Sequence, residues 1–126
     1  MIFVDTNVFM YAVGRPHPLR EEARSFFHRH LTSGEVLVSS AEVMQELMHA
    51  YLPVGRLETL DSALKLARGR MASLWSVEPE DVELARALID TRPGLGARDL
   101  LHLACCTRRG VIQVKTFNRG LGAAFG

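Results

Sequence analysis

Short unbroken apolar runs and longer stretches of helical spacing take turns along this chain. Ile2-Phe3-Val4 runs straight into Asp5, Thr6 and Asn7, and a second apolar run, Val8–Val13, follows at once. A continuous apolar run that short reads as a strand buried on both faces, as in a parallel sheet, so Ile2–Asp5 is expected to be a strand. From Pro18-Leu19 to Leu31, the residues Leu19, Ala23, Phe26, Phe27 and Leu31 recur at helical spacing until Ser33-Gly34. Val36-Leu37-Val38 is a second strand. Ser39 or Ser40 then caps a helix with Val43, Met44, Leu47, Met48 and Tyr51 on its apolar face, stopped by Pro53 and Gly55. Leu57–Leu74 continues at helical spacing, and Trp75-Ser76-Val77 reads as a third strand.

Pro79 at a first helical position, with Glu80, Asp81 and Glu83 close behind, opens a helix to Asp90. After Gly94 and Gly96 a further helix runs from about Ala97 to Arg109 and halts at Gly110. Val111–Val114 is the last strand, followed by Lys115-Thr116-Phe117-Asn118. This alternation predicts an α/β fold, a three-layer sandwich whose short, mainly parallel central sheet carries helices on both faces. An all-helical fold would have to discount Ile2–Asp5 and Val111–Val114. A length of 126 residues suits one domain, residues 1–126.

Composition narrows the class. Hydrophobic residues make up 48% and charged residues 23%, the balance of a globular rather than a disordered chain. No apolar run approaches the roughly 20 residues of a membrane span, and no signal peptide is legible, so no membrane role and a cytoplasmic location are expected. The net charge of +1 neither demands nor excludes nucleic acid. Cys105 and Cys106 are neighbours about 100° apart on a helix, badly placed to bond each other, and read as apolar fillers in a reducing compartment.

The carboxylates carry the chemistry. Ligands of parallel sheets sit beyond the carboxyl ends of the strands, and Asp5 stands at such an end. Glu46 lies beside Val43 and Leu47 on a helix that rises from the same edge, where it also reads as a solvated helix flank. Asp99 is in the first turn of its helix, where it equally complements the dipole. Asn118 follows the last strand within reach of that rim, or serves as a turn residue. Together they are expected to meet at one rim. Clustered carboxylates repel unless a hard divalent cation neutralises them, and all-oxygen ligands favour Mg²⁺ or Mn²⁺. Such a site suits metal-assisted hydrolysis of a phosphodiester.

Ile2-Phe3-Val4-Asp5-Thr6-Asn7, Ser40-x5-Glu46-Leu47, Arg98-Asp99-Leu100-Leu101-His102-Leu103-Ala104 and Val114-Lys115-Thr116-Phe117-Asn118 resemble the successive motifs of PIN-domain ribonucleases. In size the chain is similar to the VapC-type toxins of toxin–antitoxin pairs. The resemblance implies that Asp5, Glu46 and Asp99 form an acidic Mg²⁺ site, with Thr116 as a nearby hydroxyl. Where the family often has a fourth Asp this chain has Asn118, which adds no negative charge and favours one ion over two. The resemblance further implies cleavage of single-stranded RNA, often in tRNA or rRNA loops. It also implies a cognate antitoxin whose C-terminal segment covers the acidic groove, and a homodimer. Arg15, Arg20, Arg98 and Arg119 flank the rim segments as phosphate contacts or as solvated charge.

Other classes fit less of the chain. A phosphoacceptor receiver needs paired acids after its first strand, where this chain has Asp5-Thr6-Asn7, and an Asp after the middle one, where it has Ser39-Ser40. Glu46-x-x-His49 and Asp99-x-x-His102 have the acid–His spacing of a di-iron bundle, but that architecture needs four long helices. His49 and His102 therefore read as core-edge histidines. A PIN-type fold kept for RNA or partner binding, with weakened catalysis, is the alternative that Asn118 encourages.

Overall fold

The structure is a computed structural model that describes residues 1–126. Four strands, β1 (Ile2–Val4), β2 (Leu37–Ser40), β3 (Ser73–Trp75) and β4 (Val114–Lys115), form one sheet in the order β3-β2-β1-β4. Every pairing is parallel, with Phe3 opposite Val38 and Val114, and Val38 opposite Ser73. The helices are α1 (Thr6–Val13), α2 (Arg20–Arg29), α3 (Ala41–Tyr51), α4 (Leu57–Arg70), α5 (Pro79–Leu88), α6 (Ala97–Arg108) and α7 (Arg119–Ala124). The expected α/β sandwich is present.

One helical layer is α1 to α4, whose Phe9, Phe27, Val43, Leu47 and Ala63 join Val4 and Val38 of the sheet in the main core. The other is the α5–α6 pair. It meets the sheet where Phe3 of β1 stacks on Trp75 of β3 at 5.8 Å and leans on His102 of α6 at 5.4 Å. Cys105 and Cys106 are unbonded and fully buried in α6, and burial pushes the Cys105 thiol up to about 11. They are apolar fillers, as the sequence suggested.

Several boundaries differ from expectation. The run Val8–Val13 belongs to α1, which starts directly after β1 because Asp5 caps it, accepting the Thr6 N–H at 2.7 Å. The helix expected to end at Leu31 stops at Arg29, leaving Leu31 57% exposed. The helix read through Leu74 ends at Arg70. The Ala72 N–H binds Leu37 O at 2.8 Å, and pairing with β2 draws the next residues into β3, two positions ahead of the predicted strand. Met71, just past the helix, and Leu74, in the strand, had simply continued the helical spacing. Of the stretch Val111–Val114, only Val114 is strand. The Val111 N–H closes α6 on Cys106 O, through a turn in which Gly110 has φ +72. Met48, placed on the apolar face of α3 by its spacing, is exposed.

Candidate metal centre

The chain adds β2 and β3 to one side of β1 and returns to place β4 on the other. Loops that leave β1 and β4 therefore diverge, and a crevice opens between their carboxyl ends. Asp5 ends β1 and Thr116 follows β4. The Thr116 hydroxyl donates to Asp5 Oδ2 at 2.7 Å, and the Asp5 N–H donates to Lys115 O at 3.0 Å.

Glu46 arrives from the middle of α3, which Ser40 starts by accepting the Val43 N–H. The Thr6 hydroxyl donates to Glu46 Oε2 at 2.5 Å, so Thr6 alone, through its N–H and its hydroxyl, holds both carboxylates. Asp99, in the first turn of α6, accepts Asn118 Nδ2–H at 3.2 Å. Asn118 in turn caps α7 by accepting the Leu121 N–H at 3.1 Å, a short helix the sequence reading did not foresee. Its carbonyl oxygen, the one atom of the amide able to ligate an ion, is thus already engaged by one lone pair. Asn7 braces the same loop, accepting the Phe117 N–H at 3.2 Å.

These groups gather at one cleft of about 290 Å³ between α1, α3 and α6. Asp5, Glu46, Asp99 and Asn118 line it, as do Thr6, Asn7, His49 and Arg98. Thr116 sits just beneath, reaching the centre through Asp5. Of the flanking arginines, Arg98 borders this cleft, Arg15 borders the one beside it, and Arg20 and Arg119 border neither.

His102 is the residue that sequence reasoning misplaced. Read as a core-edge histidine, it is 1% exposed, with Nε2 2.8 Å from Glu46 Oε1 and 3.7 Å from Asp5 Oδ1. Ligand atoms of Asp5, Glu46 and His102 all lie within 4.8 Å of one another. The only available signal was its spacing, three residues after Asp99 on the helix face that turns inward. Asp99 lines the cleft but stands outside this tightest group.

The electrostatics follow from the crowding. Burial pushes Asp99 above the usual carboxylate range, and the charges of Asp5 and Glu46 add to it. Burial also opposes ionisation of Glu46, but the close approach and charge of His102, with the Thr6 hydroxyl and Arg98, outweigh it and lower its value. For His102, burial disfavours the cation, yet Glu46, Asp5 and Asp99 together raise its value above the ordinary one.

The residues fit a hard divalent cation. Glu46 Oε1 and His102 Nε2 are both buried without an aligned hydrogen bond, since their 2.8 Å approach lies off the imidazole N–H direction. One imidazolium cannot balance three carboxylates, so the cluster keeps surplus negative charge. Its free oxygens suit Mg²⁺ or Mn²⁺, and a neutral His102 would add a nitrogen.

Comparison with known proteins places the chain. The PIN domain profile matches residues 2–124. Ribonuclease VapC23 of Mycobacterium tuberculosis is 62% identical over 125 residues, covering 99% of this chain and 98% of that protein. Ribonuclease VapC13 of the same species is 37% identical over 120 residues, covering 95% and 92%. Among solved structures, the fold is similar to M. tuberculosis VapC20, a sarcin–ricin loop cleaving toxin. There the TM-score is 0.81 at 16% identity, over 98% of this chain and 95% of that one. It is also similar to a chain of Rickettsia felis VapBC2 bound to a promoter DNA fragment, with a TM-score of 0.66 at 17% identity, over 94% and 88%.

Proposed function

The chain belongs to the PIN-domain family, among the VapC ribonucleases, and from that membership we propose a metal-dependent endoribonuclease that cuts single-stranded RNA. It acts as the toxin of a toxin–antitoxin pair, as one domain over residues 1–126, in the cytoplasm and as a homodimer. Loops of tRNA or rRNA are the substrate class, because unstacked nucleotides enter a cleft that a duplex cannot. The VapBC2 neighbour supports an antitoxin partner. No helix is long and apolar enough to cross a membrane.

The observation that carries this reading is the meeting of Asp5, Glu46 and Asp99, distant in sequence, around one cleft at the carboxyl edge of the sheet. Asp5 and Glu46 hold the cation, Mg²⁺ foremost, with Asp99 completing the acidic wall. When bound, such an ion withdraws charge from the phosphodiester and makes water a better nucleophile. Thr116 and Thr6 fix the rotamers of Asp5 and Glu46 through their hydroxyl donors. Asn118 holds Asp99 by one oxygen and leaves the other to accept a proton from the attacking water. Arg98, at the mouth, meets the phosphate.

The test is cleavage of a labelled single-stranded RNA with Mg²⁺ by the wild type, Asp5→Ala and Asp99→Ala. Each substitution is expected to lower the rate by at least about 100-fold, beyond the usual loss when only a group supporting a ligand is removed. Circular dichroism should stay unchanged. Unaltered cleavage in either variant overturns the assignment. Wild-type binding without cleavage would favour the catalytically weakened binding module that Asn118 suggests.

A further inference from the structure

Beside the acidic cleft lies a second one of about 290 Å³ with the opposite character. Asn7 and Met10 line both, so the two clefts adjoin along α1. Tyr11, Arg15, His17, Tyr51 and Arg56 line the second cleft, and no carboxylate does. Neither arginine is neutralised from within the protein. Arg15 is exposed and joins no ion pair, while Arg56 bonds only Thr59 Oγ1 at 3.3 Å and lies 5.5 Å over the Tyr51 ring.

The rings here are built in rather than loose. His17 rests on Tyr11 with centroids 4.5 Å apart, and Tyr11 meets Phe117 edge-on at 5.4 Å. His17 Nδ1 accepts the Leu19 N–H at 3.1 Å, which places the proton of the neutral ring on Nε2 and leaves it free to donate. The loop reaches Tyr11 because the chain folds tightly at the end of α1. A Cβ at Gly14 would stand 2.7 Å from Met10 O. An unbalanced pair of guanidinium groups next to an aromatic platform is what a single-stranded nucleic acid uses, phosphate on one and base on the other.

We propose that the Tyr11–Arg15–His17–Arg56 cleft is a nucleotide subsite that holds the single-stranded RNA beside the phosphate to be cut. Arg15 and Arg56 bind the neighbouring phosphates, and a base stacks on the outer face of His17 while Nε2–H reaches an acceptor on it. The subsite rests on the ribonuclease reading of the adjoining centre and extends it to substrate positioning. Through it, the strand is anchored in the cationic cleft while one phosphate lies in the adjoining acidic one.

The full chain is tested with a fluorescently labelled single-stranded RNA of about 12 nucleotides, by anisotropy in EDTA at several salt concentrations. Arg15→Gln/Arg56→Gln is expected to weaken binding at least about tenfold and to reduce the slope of log affinity against log salt by about 1.4. His17→Ala weakens binding without changing that slope. With Mg²⁺, the double arginine variant raises KM and keeps kcat within about twofold, with circular dichroism unchanged. Unchanged affinity and slope overturn the proposal, as does a loss confined to kcat. So does retained RNA binding with lost affinity for a poly-glutamate peptide, which would assign the cleft to an acidic protein partner. Arginine-dependent RNA binding by a wild type that cleaves no RNA with Mg²⁺ or Mn²⁺ would sink the nuclease reading and leave the subsite standing.

Discussion

Asn118 shows how one atom changes the character of this centre. Its Nδ2–H donates to Asp99 and its Oδ1 caps α7, so the amide does two jobs that no carboxylate could do at once. An Asp here keeps the cap and turns the contact with Asp99 into like-charge repulsion, which only a cation relieves. Asn118→Asp is therefore expected to bind Mg²⁺ about 10–100-fold more tightly by calorimetry, the span of groups that support a ligand. The metal-free variant should melt at a lower temperature than the wild type. Weaker Mg²⁺ binding would remove Asn118 from the site. The substitution was legible in the sequence, but its bonds to Asp99 and to α7 were not, since Asp99 is far along the chain and Gly120 and Gly122 conceal the short helix of Leu121.

At the scale of elements, α6 carries Asp99 and His102, and its position is set by a clamp remote from them. Asp81 of α5 is fully buried and receives Arg108 Nη1 at 2.7 Å and Arg109 Nη1 at 2.8 Å, both from the C-terminal end of α6. Arg109 also bonds Ser76 O at 3.0 Å and lies 5.0 Å over Trp75 of β3, so β3, α5 and α6 are tied at one point. Burial opposes ionisation of Asp81, but Arg109, the Glu78 N–H and Arg108 outweigh it and hold the carboxyl well below the usual range. Asp81→Ala removes the buried carboxylate and leaves Arg108 and Arg109 only the carboxylate of Glu78, at 3.6 and 3.4 Å, so it is expected to lower stability at pH 7, measured as a fall in the urea midpoint. A depressed native value means that this contribution is complete above the unfolded carboxylate value, about 3.9, and fades as pH falls through the native one. The gap between wild type and variant should therefore narrow in acid; a gap that widened there would refute the clamp. From sequence, Asp81 read as a first-turn acid complementing a helix dipole, because the two arginines lie more than twenty residues away.

On the scale of the whole molecule, the site exists because the chain reverses its direction of growth around β1. Asp5 and Thr116 face each other only when β4 pairs with β1 on the side opposite β2. The surplus negative charge gathered there stores repulsion in the folded state, and a divalent ion bound to that state alone must stabilise it. At a hundredfold excess over its Kd the gain is about 2.7 kcal/mol, enough to raise Tm by several degrees. Thermal unfolding with and without Mg²⁺ should show that rise in the wild type and lose it in Asp5→Ala. An equal rise in both would place the ion elsewhere.

What the sequence determined by itself was local: buried strands as unbroken apolar runs, helices as periodic ones, and Asp5 at the carboxyl end of the first strand. Those features suffice for the α/β class, because burial acts on each segment through its own pattern. The acids of the centre were also legible, since each stands at an element's end or at the edge of an apolar face. Only the tertiary structure decided that His102 enters the acidic cluster, that Val8–Val13 lies in a helix begun at Thr6 with no turn after β1, and that Ser73 rather than Trp75 opens the third strand. It alone set Arg15 and Arg56 together beside that cluster. Pairing register, crevice position and charge balance depend on distances between segments, and those distances arise when the sheet closes, not along the chain.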